Sequence, residues 1–431
     1  MEFKVITAKE FDKFSKKHPQ TSFSQTSNWA DVKKVNGWNS HFLGLYDGKE
    51  LAGATLLLSK RLPFIKKNMC YANRGFLIDY SNYDLLKEFT KGIKEYAKKI
   101  NAIFVKIDPY ISYQERDIDG NVVEDGKNNK EGFSNLKKLG YRHFGFNIMQ
   151  DTLQPRWIFV TETKNKTVEE VMNGMDSKTR QIIRKNERLC IDTREISYDE
   201  LEIFKDIMQH TGDRRNFIDR PLSYYQNMYK NLEPNGILKI LIAELHTDKL
   251  IKSLQEEIDA YQKDYDDRKY KHDNGINKMN ENKYLQKQKE VEKNIERVSK
   301  KLEEIKLLQK DNGDTIVLGG ILFFIHGNEV LSLVGGSYDK FMEFQSAYTV
   351  HWAGCKYAIE NNYDRYNFYG ITGDFDEKNP LYGLYLFKRG FGGKVVELIG
   401  EFDLVISKFW FFVYKFLFKI YHGLKAIKSK L

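Results

Sequence analysis

The chain has 431 residues, 41% apolar and 30% charged, enough for two or three packed domains and too apolar for a disordered protein. Basic residues outnumber acidic ones 69 to 60, and the net charge of +9 points either to a polyanionic partner or to a surplus of surface lysine. Cys70, Cys190 and Cys355 are far apart and form no CxxC, which argues against a disulfide framework or zinc ribbon; the chain shows no signal-peptide pattern and no apolar run of about 18 residues, so a cytoplasmic protein without a spanning helix is expected.

In chain order, helices are predicted over 8–16, 25–34 (with Ser27 or Asn28 as N-cap), 83–99 and 132–139. Strands are predicted over 41–46 and 50–60, joined by an Asp47–Gly48 turn, and over 69–77, 102–108 and 141–148. This order fits an α+β acyltransferase-like lobe, and it fits other α+β folds. The same grammar restarts with strand 156–161, helices 167–189 and 198–211, strands 237–245, 315–325 and 330–336, helix 346–361 and strand 365–369. Two lobes of one grammar point to a duplication, although no residue-level repeat is visible.

Residues 247–310 interrupt the second lobe. Ile251, Leu254, Ile258, Tyr261 and Tyr265 recur at spacings of three and four, as do Val291, Ile295, Val298, Leu302 and Ile305 after Asp273-Asn274-Gly275. Two narrow apolar seams with charged flanks joined by a turn predict an antiparallel helical hairpin, an arm that is self-contained or reaches a large partner. The domain plan is therefore a first lobe over 1–154, a second over 155–246 and 311–400, the arm over 247–310 and a tail over 401–431. As a helix, the tail puts Lys408, Lys415, Lys419 and His422 on one face and aromatic and aliphatic residues on the other, so it lies in a membrane interface or packs on the body.

No HExxH, GxSxG or Walker A sequence occurs, and the acyl-CoA loop of acetyltransferases is missing because the glycines of Arg389-Gly390-Phe391-Gly392-Gly393 stand at the wrong offsets. Several isolated positions remain. Lys388 follows an aromatic, strand-like run beginning at Tyr382 and precedes the glycine turn. Trp29 and Lys33 share a helix face, where a lysine beside an indole suits a phosphate or is an ordinary surface lysine. Arg220 precedes Pro221 at a helix start with Tyr224 one turn on, an anion site or an ion pair with Asp213 or Asp219. Asp108 ends a buried strand as a functional group or a turn cap. Arg180, Arg184 and Arg188 form a stripe suited to a nucleic-acid backbone or to solvent.

Taken together, Gln25-x3-Trp29-Ala30-x2-Lys33, Arg74-Gly75-Phe76, Lys106-Ile107-Asp108-Pro109, Thr211-Gly212-x-Arg214, Arg220-x3-Tyr224-Tyr225, Tyr385-x-Phe387-Lys388-x3-Gly392 and Gly400-Glu401-Phe402-Asp403 resemble the FemABX peptidyltransferases, from about residue 3 to about residue 405. The resemblance implies an α+β protein with two acetyltransferase-like (GNAT-like) lobes and an inserted antiparallel coiled-coil hairpin. It implies aminoacyl-tRNA as co-substrate in place of a cofactor, and as acceptor the stem-peptide lysine of a peptidoglycan precursor, lipid II or UDP-MurNAc-pentapeptide. By position, Lys33, Arg220 and Tyr224 match residues that hold the acceptor's phosphate region, Tyr348 falls near another acceptor contact, and Lys388 matches a lysine that stabilises the transferring acyl group. The final segment is implied to return to the first lobe, while the aromatic, basic extension has no place in the family pattern.

This chemistry needs no covalent intermediate, since an aminoacyl ester is already activated and requires only alignment and oxyanion stabilisation. Lys388 is the expected cation, and Asp108 the candidate base unless the acceptor's own carboxylate takes the proton. Arg389, pointing away from Lys388 on a strand, is left as an RNA or packing contact beside the arginine stripe. The competing expectations are a catalytically silent relative serving as scaffold or immunity factor at the membrane, and a nucleic-acid-binding module with an arm.

Overall fold

The computed structural model describes all residues except Phe64, 149–151, 277–278 and 429–431, with side chains described up to Phe418. The first half runs β1 (Glu2–Val5), α1 (Ala8–Lys17), α2 (Ser27–Lys34), β2 (Asn39–Asp47), β3 (Glu50–Arg61), β4 (Asn68–Ala72), α3 (Tyr83–Lys99), β5 (Ala102–Ile107), β6 (Ser112–Glu115), α4 (Lys130–Lys138) and β7 (Tyr141–His143). The second runs β8 (Trp157–Glu162), α5 (Val168–Asn173), α6 (Ser177–Arg188), β9 (Ile191–Glu195), α7 (Leu201–Arg215), α8 (Leu222–Leu232) and β10 (Leu238–His246). It continues through α9 (Thr247–Asp273), α10 (Glu281–Asn312), β11 (Thr315–His326), β12 (Glu329–Ser337), α11 (Ser346–Glu360), β13 (Arg365–Gly370), α12 (Tyr382–Arg389), β14 (Lys394–Leu398), β15 (Phe402–Val405) and α13 (Lys408–Lys428).

Two mixed sheets result, ordered β1-β2-β3-β4-β5-β15-β7 and β6-β14-β8-β13-β12-β11-β10-β9. Read inward from β1 and from β9, they share one pattern: four antiparallel strands, a parallel partner, then two more antiparallel strands. In each, a helix (α3 or α11) makes the crossover between the parallel pair, as a parallel connection requires. The sixth strand is exchanged. β8, which follows the first lobe in the chain, fills that place in the second sheet, and β15, which follows the second lobe, fills it in the first. The lobes are thereby interlocked.

Where the first lobe joins β2 to β3 by the Asp47–Gly48 turn, the second joins β10 to β11 by the whole arm, α9 and α10. Leu250, Leu254, Val298, Leu302 and Ile305 at the arm's base are buried in the second lobe's core. Further out, the helices run antiparallel, with Gln288 donating to the Tyr265 carbonyl at 3.3 Å. A separate core joins the lobes: Phe11, Trp29, Leu56 and Leu77 pack with Phe204, Ile207, Met228 and Phe324, and Phe23 stacks on Phe324 at 3.9 Å.

Several local expectations are corrected. Thr26, not Ser27 or Asn28, caps α2, accepting from the Trp29 N–H at 3.1 Å. The strand expected over 69–77 stops at Ala72, because Arg74 turns the chain with φ +56°. The helix expected over 167–189 is two helices, α6 starting anew on Asp176, whose carboxylate accepts from Thr179 N–H at 2.6 Å. The strand-like run 382–388 is the helix α12, so Lys388 and Arg389 project from a helix. On α13, Trp410, Phe411 and Tyr414 pack with Leu62, Ile103 and Phe104, while Phe409, Phe412 and Phe416 stay exposed. Lys419 and His422 lie outside the described side chains. Among the described residues no helix is long and apolar enough to cross a membrane.

Candidate acyl-transfer site

β12 and β13 pair only as far as Leu331 and Asn367, and then part. Beyond that point β13 offers carbonyls that no β12 strand group takes, and Lys388 fills them. Its Nζ donates to Phe368 O at 2.6 Å and to Gly370 O at 2.7 Å. Lys388 is 7% exposed, and burial pulls its pKa down to about 7. It makes no ion pair among the described residues. Phe368, Phe387, Phe391, Tyr348 and His351 pack ring against ring next to it, the His351 ring 5.1 Å from that of Phe368 and within reach of the lysine's charge. Burial, then the lysine, holds His351 near 3, so it is neutral, and its Nδ1 shares a 2.7 Å hydrogen bond with the Tyr366 hydroxyl. The result is a buried cation on two backbone carbonyls, beside an aromatic cluster and without an ion pair among the described residues.

The glycines after Lys388 serve close packing. A Cβ on Gly393 would strike the Val160 carbonyl, and one on Gly392 would stand 2.5 Å from Gly174 O. They seat the turn on β8 and on the α5–α6 junction, beside a cleft of about 260 Å³ lined in part by Lys166, Gly174 and Lys394.

A second cluster bridges the lobes. α2 and α8 are clamped by Asn227 donating to Val32 O at 3.0 Å and Asn28 donating to Asn231 O at 3.1 Å. The clamp brings Trp29, Lys33, Arg220 and Tyr224 together. Lys33 Nζ lies 4.4 Å from the Trp29 ring centre, and the Arg220 guanidinium 5.5 Å from that of Tyr224. Burial, then repulsion from Arg220 and Lys60, lowers Lys33 to about 8. Burial raises Tyr224. Asp219 does not pair with Arg220, because Lys205 at 2.7 Å and the Tyr225 hydroxyl at 2.6 Å occupy it. Two cations held together without a carboxylate between them make an anion site.

Asp108 sits in neither cluster. One oxygen accepts from the Arg74 N–H at 2.7 Å, the other from the Tyr71 hydroxyl at 3.0 Å, with the Arg74 guanidinium 3.9 Å away. Burial lifts its carboxyl to about 6 in spite of Arg74. It fixes the turn after β4. Tyr348, grouped by resemblance with the acceptor contacts, belongs to the aromatic cluster beside Lys388, 4.8 Å from the Phe387 ring.

The arginine stripe divides. Arg180 donates to the Asn173 carbonyl at 3.2 Å and to that of Met175, closing the end of α5. Arg389 is paired with Asp119 at 2.7 Å. Arg184 and Arg188 are exposed, without an ion pair among the described residues, and line a shallow hollow with Gln181 and Glu187.

Sequence reasoning missed His351 and Tyr369. His351 was within reach of it, three residues after Tyr348 on a predicted helix and therefore on the same face. Tyr369, with φ +65°, gave no sequence signal. The carbonyls on either side of it hold Lys388, its hydroxyl donates to Gln154, and its ring reaches the inter-lobe core that Trp29 and Tyr224 also join. It is the structural link between the two clusters.

Comparison with known proteins makes this chain an aminoacyltransferase. The FemAB family model matches residues 6–419. The aminoacyltransferase FemA of Staphylococcus epidermidis is 33% identical over 427 residues, 97% of this chain and all of that one. FemA of Staphylococcus aureus (strain MRSA252) is 31% identical over 434 residues, the whole of both chains. A crystal structure of FemX superposes with a TM-score of 0.82 at 27% identity, covering 96% of this chain and 99% of the other. The chain belongs to the FemAB family.

Proposed function

We propose that this protein moves an amino acid from aminoacyl-tRNA to the stem-peptide lysine amine of a peptidoglycan precursor, building the interpeptide bridge. The observation that carries the reading is Lys388: a buried cation, fixed by two backbone carbonyls, beside an aromatic cluster and without an ion pair among the described residues. The acceptor amine attacks the ester carbonyl, the carbonyl oxygen takes up negative charge, and the ester C–O bond breaks to release the tRNA hydroxyl. A fixed ammonium stabilises that oxyanion with little reorganisation, an effect worth roughly 2.7–4 kcal/mol for one donor. Asp108 is committed to Arg74 and Tyr71 and acts as a positioning residue, so the attacking amine's proton goes to a carboxylate of the acceptor.

Lys33 and Arg220, backed by Trp29 and Tyr224, hold the acceptor's phosphates. Lipid II is the favoured acceptor, taken at the cytoplasmic face of the membrane with α13 against the lipid surface. Arg184 and Arg188 meet the tRNA backbone; Arg180 and Arg389, already engaged, contribute to it through packing. Tyr348 packs at the transferring end. The direct test is incubation with charged tRNA and either lipid II or UDP-MurNAc-pentapeptide, read by mass spectrometry. Addition of one aminoacyl residue is expected, and no mass shift with any charged tRNA would favour a silent scaffold.

A further inference from the structure

The α7–α8 loop carries the most exposed large apolar side chain among the described residues: Ile218 is 98% exposed, and Phe217 beside it 42%. The loop is built to hold that position. Asn216 takes a left-handed φ of +56°, and Phe217 N–H returns to Gly212 O at 3.0 Å. Gly212 is required there, since its Cβ would lie 2.8 Å from the Phe217 carbonyl oxygen. On the far side Asp219 is fixed by Lys205 and Tyr225. A loop pinned at both ends presents its tip rather than folding it away.

The tip's surroundings name its partner. Arg220 stands two residues on and close to Lys33, and Lys33 feels the charge of Lys60 near the end of β3. Two residues further, Leu62 packs against Phe411 of α13, whose outer face bears Phe412 at 71% exposure and Phe409 at 67%. Successive neighbours thus link Ile218 through Arg220, Lys33 and Lys60 to α13, apolar at the two ends and cationic between. After Asp403 the chain has six lysines and no acidic residue. Aromatic side chains flanked by lysine and arginine are the composition of a surface that enters an anionic lipid interface.

We propose that Phe217 and Ile218 form a tip that inserts into an anionic bilayer and, with α13, seats the Lys33–Arg220 pair at headgroup level. The acceptor is then taken with its phosphates still joined to a hydrocarbon chain. The acceptor's identity rests on the function proposed above; the membrane contact does not.

The test uses the full chain with Cys190→Ser and Ile218→Cys carrying an environment-sensitive fluorophore, the other two cysteines being buried. Phosphatidylcholine vesicles with and without phosphatidylglycerol, doped with acyl-chain quenchers, report insertion. A blue shift and quenching on the anionic vesicles alone are expected. Phe217→Ser with Ile218→Ser should weaken vesicle binding about tenfold or more and lower transfer to a vesicle-borne lipid-linked acceptor, leaving transfer to the soluble nucleotide-linked acceptor unchanged. No vesicle binding, or an unquenched label on bound protein, overturns the proposal. So does an equal loss with the soluble acceptor, which would place the tip on the acceptor or on a partner protein. Absence of transfer with every acceptor would sink the enzymatic reading, while the fluorescence would still decide the membrane contact.

Discussion

Lys388 is held by the two backbone carbonyls that flank Tyr369, so the residue linking the anion cluster to the rest of the site also positions a buried cation that makes no ion pair among the described residues. Any shift of Tyr369 moves the lysine, and with it the point where an oxyanion is best stabilised.

The first prediction is a pH dependence of opposite sign in activity and stability. Lys388 titrates near 7 in the folded chain against an ordinary 10.5. Between those values the unfolded chain binds a proton that the folded chain has lost, so stability rises with pH from about 7 to about 10.5 and is flat in this respect below 7. Activity, which needs the ammonium, falls through pH 7. His351, neutral above about 3, does not contribute. Denaturant melts at pH 7 and 9 should show the wild type gaining stability that Lys388→Met does not gain. Wild-type kcat should show a descending limb near 7, shifted upward in Lys388→Arg. A limb unchanged by the arginine would assign it to another group.

Lys33→Met and Arg220→Met should each raise KM for the acceptor by about 10- to 100-fold, the range for one charge-assisted hydrogen bond, with kcat nearly constant. Phosphate binding should also restore the proton that burial, Arg220 and Lys60 take from Lys33. Calorimetry at pH 8.5 in two buffers of different ionisation enthalpy should therefore report proton uptake, absent in Lys33→Met. Equal apparent enthalpies in the wild type would remove Lys33 from the anion site.

Arg184→Gln with Arg188→Gln should weaken tRNA binding and flatten its dependence on log salt by about 1.4–1.8, two released counterions' worth. Arg180→Gln should instead lower Tm, because that guanidinium closes the end of α5. Filter binding across a salt series separates the two effects, and an unchanged slope in the double variant would place the tRNA elsewhere.

Shortening the arm should preserve the fold. Its base belongs to the second lobe's core, whereas residues beyond Tyr261 and Val291 pack on each other. Joining these two positions by a short glycine turn should leave Tm within about 2 °C, roughly 2 kcal/mol for a chain of this size. Removing the base as well should unfold the lobe. If the shortened chain also unfolded, the outer arm would have to support the core.

The arm was the most legible element because its two seams are local: each needs only the spacing of its own apolar residues, and Val291, Val298, Leu302 and Ile305 are indeed buried. Helix 83–99 was legible for the same reason, with Leu85, Leu86, Phe89 and Ile93 on one face. α12 was misread because Tyr382, Tyr385 and Phe387 favour strands, yet tertiary packing makes a two-turn helix that buries Tyr385 and Lys388, three residues apart. The exchange of β8 and β15 was invisible to pattern alone, since only the far lobe defines their partners. Of the anion cluster, Trp29 with Lys33 and Arg220 with Tyr224 were each readable as pairs. That the two pairs meet follows from the α2–α8 clamp. The separation of Arg184 and Arg188 from Arg180 depends on which carbonyls lie within reach, a property of the fold.

The most direct measurement is single-turnover transfer by Lys388→Met, with charged tRNA and acceptor saturating and product counted by mass spectrometry. Loss of one buried oxyanion donor predicts a rate about 10²–10³-fold below wild type, with unchanged tRNA affinity and a Tm no lower than wild type at pH 7. A rate equal to wild type would contradict the account at its centre.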